Sequence, residues 1–559
     1  MRPFHLLVPP ALLLILGCTG VLGDTGDDLF GGGGEGNGGG GEEEPAVDRD
    51  EDGYSEDVDC DDENADVHPD ATEVQGNGVD DDCDPGTCIR SGFNEEVREV
   101  TLPATYGVRG TTPFYSIYNS DNCDSATMRP ESGLLDFTGD GVVDLVILQD
   151  CEDSTVGDEQ WLVHAGSRDG FAADATSWSL PASYGKKGTT PFYSLANTDN
   201  CDASYLRPES AVTDINSDGT PDLVITQSCE ESNVGDTRWL VHLGGGSGFA
   251  DEASDWTLPA EYGKTGTTPF YSVANSDNCD ASYLRPESTL ADLDGDGKAD
   301  LVLTTVCDAS DVGDTRWVVH QNSGSGFGEA ADWTLPGTYG AKDTRPFYGL
   351  ANTDNCDASS LRPESTLSDL DGDGRSDLVL TQVCDDTKVG DTEWWVHRNS
   401  GSGFAEEAST WELPAAYGVR GTKPFYALAN SDNCDTESMR PESTVSDLDG
   451  DGQPDLVITT DCEDDKVGDT TWTLHAGADG GFDTDGRPWS LPATYGVRGT
   501  HPFYAMAVTD NCDTETLRPE ASTLDIDGSG EVDLVITTAC EDDAVGDTTW
   551  WMHASYCDE

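Results

Sequence analysis

The chain has 559 residues, of which 110 are acidic and 28 basic, giving a formal net charge of −82. Charge of this sign repels nucleic acid and anionic membrane surfaces, so neither is expected as a partner. Its seventeen cysteines would be unusual in a reducing compartment and favour an exported protein with disulfides.

The N-terminus has the layout of a secretory signal peptide. A basic residue precedes the apolar run from Leu12 to Leu16, and Gly17 and Cys18 follow, which predicts a signal peptide over 1–17. The ending resembles, loosely, a bacterial lipoprotein signal. That resemblance implies lipidation of Cys18 and an anchored position at the bacterial cell envelope or outer surface, with plain secretion as the alternative. Apart from this lipid, no membrane contact is expected.

Residues 18–45 are dominated by glycine with acidic residues, which predicts a flexible tether. Residues 46–87 form an acidic, cysteine-bearing unit that we interpret as a metal-binding motif. Its first half spaces carboxylates as an EF-hand loop does, but no helical pattern flanks them, so an EF-hand is not predicted. The candidate ligands are Asp48, Asp50, Asp52 and Asp59.

The end of this unit, Asp80-Asp81-Asp82-Cys83-Asp84, strengthens the interpretation. With it, the unit resembles the short metal-binding motif of bacterial surface proteins, related in style to thrombospondin type 3 repeats. Cys60 and Cys83 are the natural disulfide pair within it. An acidic linker is the alternative.

Residues 88–559 contain six copies of one unit. An Asp-Asn-Cys-Asp motif recurs with a period of 78 residues and one interval of 77, and a second cysteine follows each motif by 28 residues. In the third copy, turn signals separate four predicted strands: Ser288 to Ala291, Leu301 to Thr305, Trp317 to His320, and Phe327 to Leu335. Four strands per repeat without helical periodicity predict an all-β, six-bladed β-propeller.

Each copy carries an aspartate-rich loop between its first two strands. Carboxylates at positions 1, 3, 5 and 9 of a glycine-rich loop can converge on one hard cation, so each loop predicts a Ca²⁺ site. Three loops are complete: Asp292, Asp294, Asp296, Asp300; Asp369, Asp371, Asp373, Asp377; and Asp447, Asp449, Asp451, Asp455. Three carry one substitution and should bind more weakly: Asp136, Thr138, Asp140, Asp144; Asp214, Asn216, Asp218, Asp222; and Asp525, Asp527, Ser529, Asp533.

The run DLDGDGKADLVLT followed by NSGSGF resembles the FG-GAP and VCBS repeats of calcium-loop β-propellers, a group that includes the integrin α-subunit head. The resemblance covers residues 89–559. This chain has six units where integrin heads have seven, and each unit adds a long connection and a cysteine pair that the family does not require. The resemblance therefore implies the fold and the calcium loops, but no particular partner.

The phase of the repeat predicts a closed ring. The chain enters in mid-unit at Ser91-Gly92-Phe93 and leaves in mid-unit after His553, so N-terminal residues would supply the outer strand of the last blade. In the internal copies a hairpin joins the third strand to the fourth. In the last blade the chain is interrupted at this hairpin, and Cys88 and Cys557 lie at its two ends. They are therefore predicted to pair.

The repeated cysteines are also predicted to pair within each unit. In blades of this type, the fourth-to-first and second-to-third connections emerge at the same rim, and each holds one cysteine. Zinc is the alternative, but no CxxC or histidine spacing supports it. The predicted pairs are Cys123–Cys151, Cys201–Cys229, Cys279–Cys307, Cys356–Cys384, Cys434–Cys462 and Cys512–Cys540.

We predict a non-enzymatic binding or adhesion module, with a surface glycan or a protein as ligand and a purely structural envelope protein as the alternative. A histidine follows a tryptophan by three residues in every copy, which places the two on opposite faces of a strand and suits packing between blades. The rim opposite the calcium loops is the candidate binding surface. In the third copy it comprises Tyr271, Asp277, Asn278, Asp280, Arg285, Glu287 and Asp314.

Overall fold

The structure is a computed structural model that describes residues 90–341, 344–478 and 480–557. The described residues form strands and turns and no helix, so none of them forms a helix able to cross a membrane. Cys18, the tether and the metal-binding motif of residues 46–87 lie outside the described residues. Both cysteines of the predicted pair Cys60–Cys83, and Cys88 of the predicted pair Cys88–Cys557, also lie outside the described residues. These two pairs therefore stay predictions.

Residues Ser91–Tyr556 form one compact unit that contains six sheets, called blades 1 to 6 in chain order. From the inner to the outer strand, blades 1 to 3 are Glu131–Leu135, Asp144–Gln149, Gln160–His164, Thr176–Ser179; Glu209–Thr213, Asp222–Gln227, Arg238–His242, Ser254–Thr257; and Glu287–Ala291, Asp300–Thr305, Arg316–Asn322, Phe327–Thr334.

Blades 4 to 6 are Glu364–Ser368, Asp377–Gln382, Glu393–His397, Ser409–Glu412; Glu442–Ser446, Asp455–Thr460, Thr471–His475, Arg487–Ser490; and Glu520–Leu524, Asp533–Thr538, Thr549–His553, Arg98–Thr101. The remaining strands are Arg90–Phe93, Ala196–Asn197, Gly477–Ala478, Gly481–Phe482, Ala507–Val508 and Ser555–Cys557. This arrangement confirms the predicted all-β, six-bladed propeller.

The second strand of each blade has an apolar centre and is buried along almost its whole length. In Asp300–Thr305 all six residues are buried, because the sheet packs against a neighbouring blade on each face. The hydrophobic clusters accordingly lie between blades. One of them joins Trp161 and Trp178 of blade 1 to Phe249 of blade 2, with both ring centroids 5.6 Å from that of the phenylalanine.

The ring closes as predicted, because strand Arg98–Thr101 pairs antiparallel with Thr549–His553 and completes blade 6. The outer strand of each blade also makes a parallel contact with a glycine of the next blade. At Gly170 an added Cβ would lie 2.2 Å from the backbone nitrogen of Thr101, so this close approach requires glycine. The six contacts are Thr101–Gly170, Ser179–Gly248, Thr257–Gly326, Thr334–Gly403, Glu412–Gly481 and Ser490–Gly92.

The repeated histidines pack between blades, in agreement with the prediction. His164 Nδ1 donates to the backbone oxygen of Ala172 (2.7 Å), since a carbonyl can only accept, and Nε2 accepts from the hydroxyl of Tyr106 (3.0 Å). Burial lowers the pKa of His164. The same Tyr–His bond recurs as Tyr184–His242, Tyr262–His320, Tyr339–His397, Tyr417–His475 and Tyr495–His553.

Candidate metal centres and the disulfide face

Each aspartate-rich loop is shaped by its own carboxylates. In blade 3, the two carboxylate oxygens of Asp292 accept from the backbone nitrogens of Gly295 and Gly297, at 2.8 Å each. Both glycines have positive φ, +78° and +81°, a conformation that favours glycine. The loop is thereby turned back on itself, and Asp292, Asp294 and Asp296 come together.

Four of the six loops bring three carboxylates together, with one oxygen of each within 4.8 Å of the others. Among the described residues, the loops that contain Thr138 and Asn216 have no such group of three carboxylates. The sixth loop gathers its carboxylates despite Ser529, so the substitution does not break the cluster there. The four clusters are Asp292, Asp294, Asp296; Asp369, Asp371, Asp373; Asp447, Asp449, Asp455; and Asp525, Asp527, Asp533.

A buried carboxylate oxygen lacks a donor in three of the loops. Asp300 is 1% exposed; its Oδ1 accepts from the Asn322 backbone nitrogen (2.8 Å), while its Oδ2 has no hydrogen-bond partner. Desolvation, with the nearby charges of the loop, raises the pKa of Asp300 to about 7. Oδ2 of Asp222 and of Asp377 is similarly unpartnered.

A cation in the loop would supply the missing partner. A buried carboxylate oxygen without a donor is costly, and hard cations such as Ca²⁺ bind carboxylate oxygens. The residues present therefore fit a metal ion of this class. The ion would be held by the clustered aspartates together with the buried aspartate at position 9.

The position-3 aspartates have polar partners that the sequence analysis did not identify. Arg98, Arg398 and Arg487 form ion pairs with Asp527, Asp371 and Asp449, respectively. In blade 3, Gln321 donates to Asp294 instead. In blades 3 and 4 the partner is the residue after the repeated histidine, Gln321 or Arg398. In blades 5 and 6 that residue is an alanine, and the partner is the first residue of the outer strand, Arg487 or Arg98.

The six intra-blade cysteine pairs are disulfides, as predicted. Their Cα atoms lie 5.1 to 5.2 Å apart. With the sulfurs bonded to each other, these twelve cysteines offer no thiolates to zinc. We call the rim of the propeller that carries these bridges and the long connections the disulfide face.

The repeated arginine of the disulfide face mainly holds the face together. In blade 3, Arg285 donates from Nε and Nη2 to the backbone oxygen of Thr267, at 3.0 and 2.8 Å. Its guanidinium lies over the ring of Tyr271, 4.9 Å from the centroid. Equivalent stacks are Arg129–Tyr115, Arg207–Tyr193, Arg362–Tyr348, Arg440–Tyr426 and Arg518–Tyr504.

The acidic residues of this face also bond within it. Glu287 accepts from the backbone nitrogen of Asp277 (2.7 Å), and burial raises the pKa of Glu287 to about 7. Asp280 accepts from the backbone nitrogen of Ser282 (2.7 Å). Much of the predicted binding surface is thus occupied by its own internal contacts.

The fold and these sites define the class: a disulfide-bonded six-bladed β-propeller with acidic loops that could hold metal ions. One family model matches, "Cu-binding_MopE: Putative metal-binding motif", over residues 59–87. The match falls within the unit of residues 46–87 that the sequence predicts to bind metal. No curated protein shows a match to this chain.

Several solved structures are similar in part. The Tc holotoxin pore of Photorhabdus luminescens matches with 15% identity and a TM-score of 0.43, covering 84% of this chain. This chain spans only 15% of that one. A lectin of Agrocybe aegerita, described as recognising terminal N-acetylglucosamine, matches with 15% identity and a TM-score of 0.34, over 77% of this chain and 80% of its own. Similarities this low assign the chain to no family.

Proposed function

We propose that the protein is a calcium-stabilised propeller of the FG-GAP/VCBS type that serves as a binding or adhesion module at a bacterial surface. The observation that carries the calcium part is the buried, unpartnered Oδ2 of Asp300 beside a cluster of three aspartates. Export through the N-terminal signal and a lipid on Cys18 would place the module outside the cell.

Calcium would act chiefly through stability. An ion that binds the folded loop and not the unfolded chain stabilises the fold, by about 2.7 kcal/mol per site at a hundredfold excess over its dissociation constant. The four loops that gather carboxylates would bind most tightly, and the loops with Thr138 and Asn216 more weakly.

For the ligand we propose a surface glycan, because strong negative charge disfavours anionic partners and the disulfide face combines tyrosine, arginine and carboxylate side chains. The internal contacts of Arg285 and Glu287 favour one alternative, a purely structural envelope protein. Neither function requires catalysis, and each repeated histidine is engaged by a tyrosine and a backbone oxygen in the same way.

The test is calcium titration of the mature protein by calorimetry, with thermal melting in calcium and in chelator. We expect at least four bound ions, one for each cluster, and a large fall in melting temperature on chelation. Magnesium serves as the control, since its smaller, octahedral coordination shell suits these loops less well. An unchanged melting temperature in chelator would contradict the calcium part. A glycan array without hits in calcium would favour the structural alternative.

A further inference from the structure

At one position of the disulfide face, two blades carry an exposed aromatic side chain where the other four do not. Tyr205 of blade 2 and Tyr283 of blade 3 directly follow an Asp-Ala-Ser turn on the disulfide face and are 39% and 40% exposed. The equivalent residues of the other four blades are small and hydroxylated: Thr127, Ser360, Ser438 and Thr516. The propeller is therefore sixfold in its framework but not in this surface.

Each exposed ring is held from behind by the arginine of its own blade. The guanidinium of Arg207 lies 4.9 Å from the ring centroid of Tyr193 and 5.0 Å from that of Tyr205. Arg285 contacts Tyr271 and Tyr283 at the same distances. Since each arginine is itself fixed by two hydrogen bonds to a backbone oxygen, the exposed tyrosine rests on a rigid support.

The backbone at these tyrosines is also fixed. The carbonyl oxygen of Tyr283 accepts from the Lys264 backbone nitrogen and from the Thr267 hydroxyl, both at 3.2 Å. The next residue, Leu284, has a left-handed φ of +56°, which marks a tightly constrained turn. A binding surface ordered before its ligand arrives loses little conformational entropy on binding.

The surroundings indicate the chemistry of the ligand. An aromatic ring exposed on one side offers an apolar platform, and the exposed carboxylates of Asp202 and Asp280, at the start of the two turns, offer acceptors for hydroxyl groups. In blade 2 a cavity of about 80 Å³ is lined in part by Tyr184, Glu230 and Leu206, the residue that follows Tyr205. The acidity of the chain repels anionic groups.

We propose that Tyr205 and Tyr283 form a paired carbohydrate-binding site on adjacent blades, each ring stacking against the apolar face of a pyranose in one uncharged glycan chain. The neighbouring carboxylates accept its hydroxyl hydrogens. The inference rests on the proposed function and narrows it, because binding is assigned to two blades and not to all six. One chain that reaches both platforms gains affinity through effective concentration.

The test compares three forms of the mature protein in calcium: wild type, Tyr205→Ser/Tyr283→Ser, and the control Thr127→Ser/Thr516→Ser. Serine already occupies the equivalent positions of blades 4 and 5, so the tyrosine variant should fold, and its melting temperature checks this. The probes are β-linked oligosaccharides of glucose and of N-acetylglucosamine, titrated by calorimetry.

We expect wild type and the control variant to bind alike, and the tyrosine variant to lose about tenfold or more in affinity, which corresponds to about 1.4 kcal/mol. Equal binding by the folded tyrosine variant would overturn the paired site and leave the proposed glycan function standing. No binding of either probe by wild type would overturn both.

Discussion

The most direct test of ring closure is the substitution Phe93→Ala. Phe93 enters from the N-terminal end of the propeller and is 1% exposed. Its ring lies edge-on to Trp472 and Trp489 of blade 5, with centroid distances of 5.8 and 5.4 Å. The substitution removes a filled position from the core between blades 5 and 6.

The expected cost follows from that burial. Truncating a buried phenylalanine to alanine lowers the free energy of unfolding by about 3 to 5 kcal/mol. Blade 2 supplies a matched control, because Phe249 occupies the equivalent position and is 3% exposed. Since the two phenylalanines have similar surroundings, Phe93→Ala and Phe249→Ala should cost similar amounts.

The assay is guanidinium unfolding followed by tryptophan fluorescence, to which Trp472 and Trp489 contribute directly. Comparable shifts in the midpoint for the two variants would agree with a ring closed by the N-terminal strand. A shift for Phe93→Ala that is less than half that for Phe249→Ala would refute the reasoning, because it would mean that the N-terminal segment is loosely held.

Three further predictions concern the loops, the bridges and the histidines. Asp300→Asn removes a buried unpaired charge, so it should raise the melting temperature in chelator and abolish one calcium site by calorimetry; a site that survives would contradict the assigned ligand. Cys279→Ser/Cys307→Ser opens a loop of 28 residues and should cost about 3 to 4 kcal/mol in guanidinium unfolding; a loss below about 1 kcal/mol would show that the bridge does little for stability. Burial lowers the pKa of His164, so the unfolded chain takes up a proton before the folded protein does. Stability in calcium should therefore be full above pH 6.5, the ordinary histidine value, and should fall below it. His164→Gln should make that fall less steep without removing it, because burial also lowers the pKa of His242, His397, His475 and His553.

The fold could be predicted because its information is repeated and local. The four strands of one copy, the cysteine spacing of 28 residues and the cut hairpin at the ends together allow only a few arrangements. The structure places Glu287–Ala291 and Asp300–Thr305 within one residue of the predicted strands. Burial of the second strand on both faces makes that pattern strong.

The details of the sites could not be predicted, because they depend on contacts between elements. From the number of aspartates, the loops with Ser529, Thr138 and Asn216 were expected to bind metal equally weakly. Of these three, the loop with Ser529 is the one that brings three carboxylates together. The pairing of Arg398 with Asp371 joins a strand end to a loop 27 residues earlier. Likewise, the sequence analysis placed Arg285 in the candidate binding surface, whereas its hydrogen bonds and its stacking on Tyr271 hold the disulfide face together.

The N-terminal strand that completes blade 6 has a consequence for how the protein folds during synthesis. The bond between His553 and the backbone oxygen of Asn94 joins residues 459 positions apart, whereas each disulfide joins residues only 28 apart. The bridges can therefore form one after another as the blades are completed, while the strand Arg98–Thr101 must wait for the last blade to be synthesised. Until then the side chain of Val100 and the open edge of the strand remain available to wrong partners. A chain that stops short of Thr549 would leave that strand without a partner, and we expect such products to aggregate or be degraded.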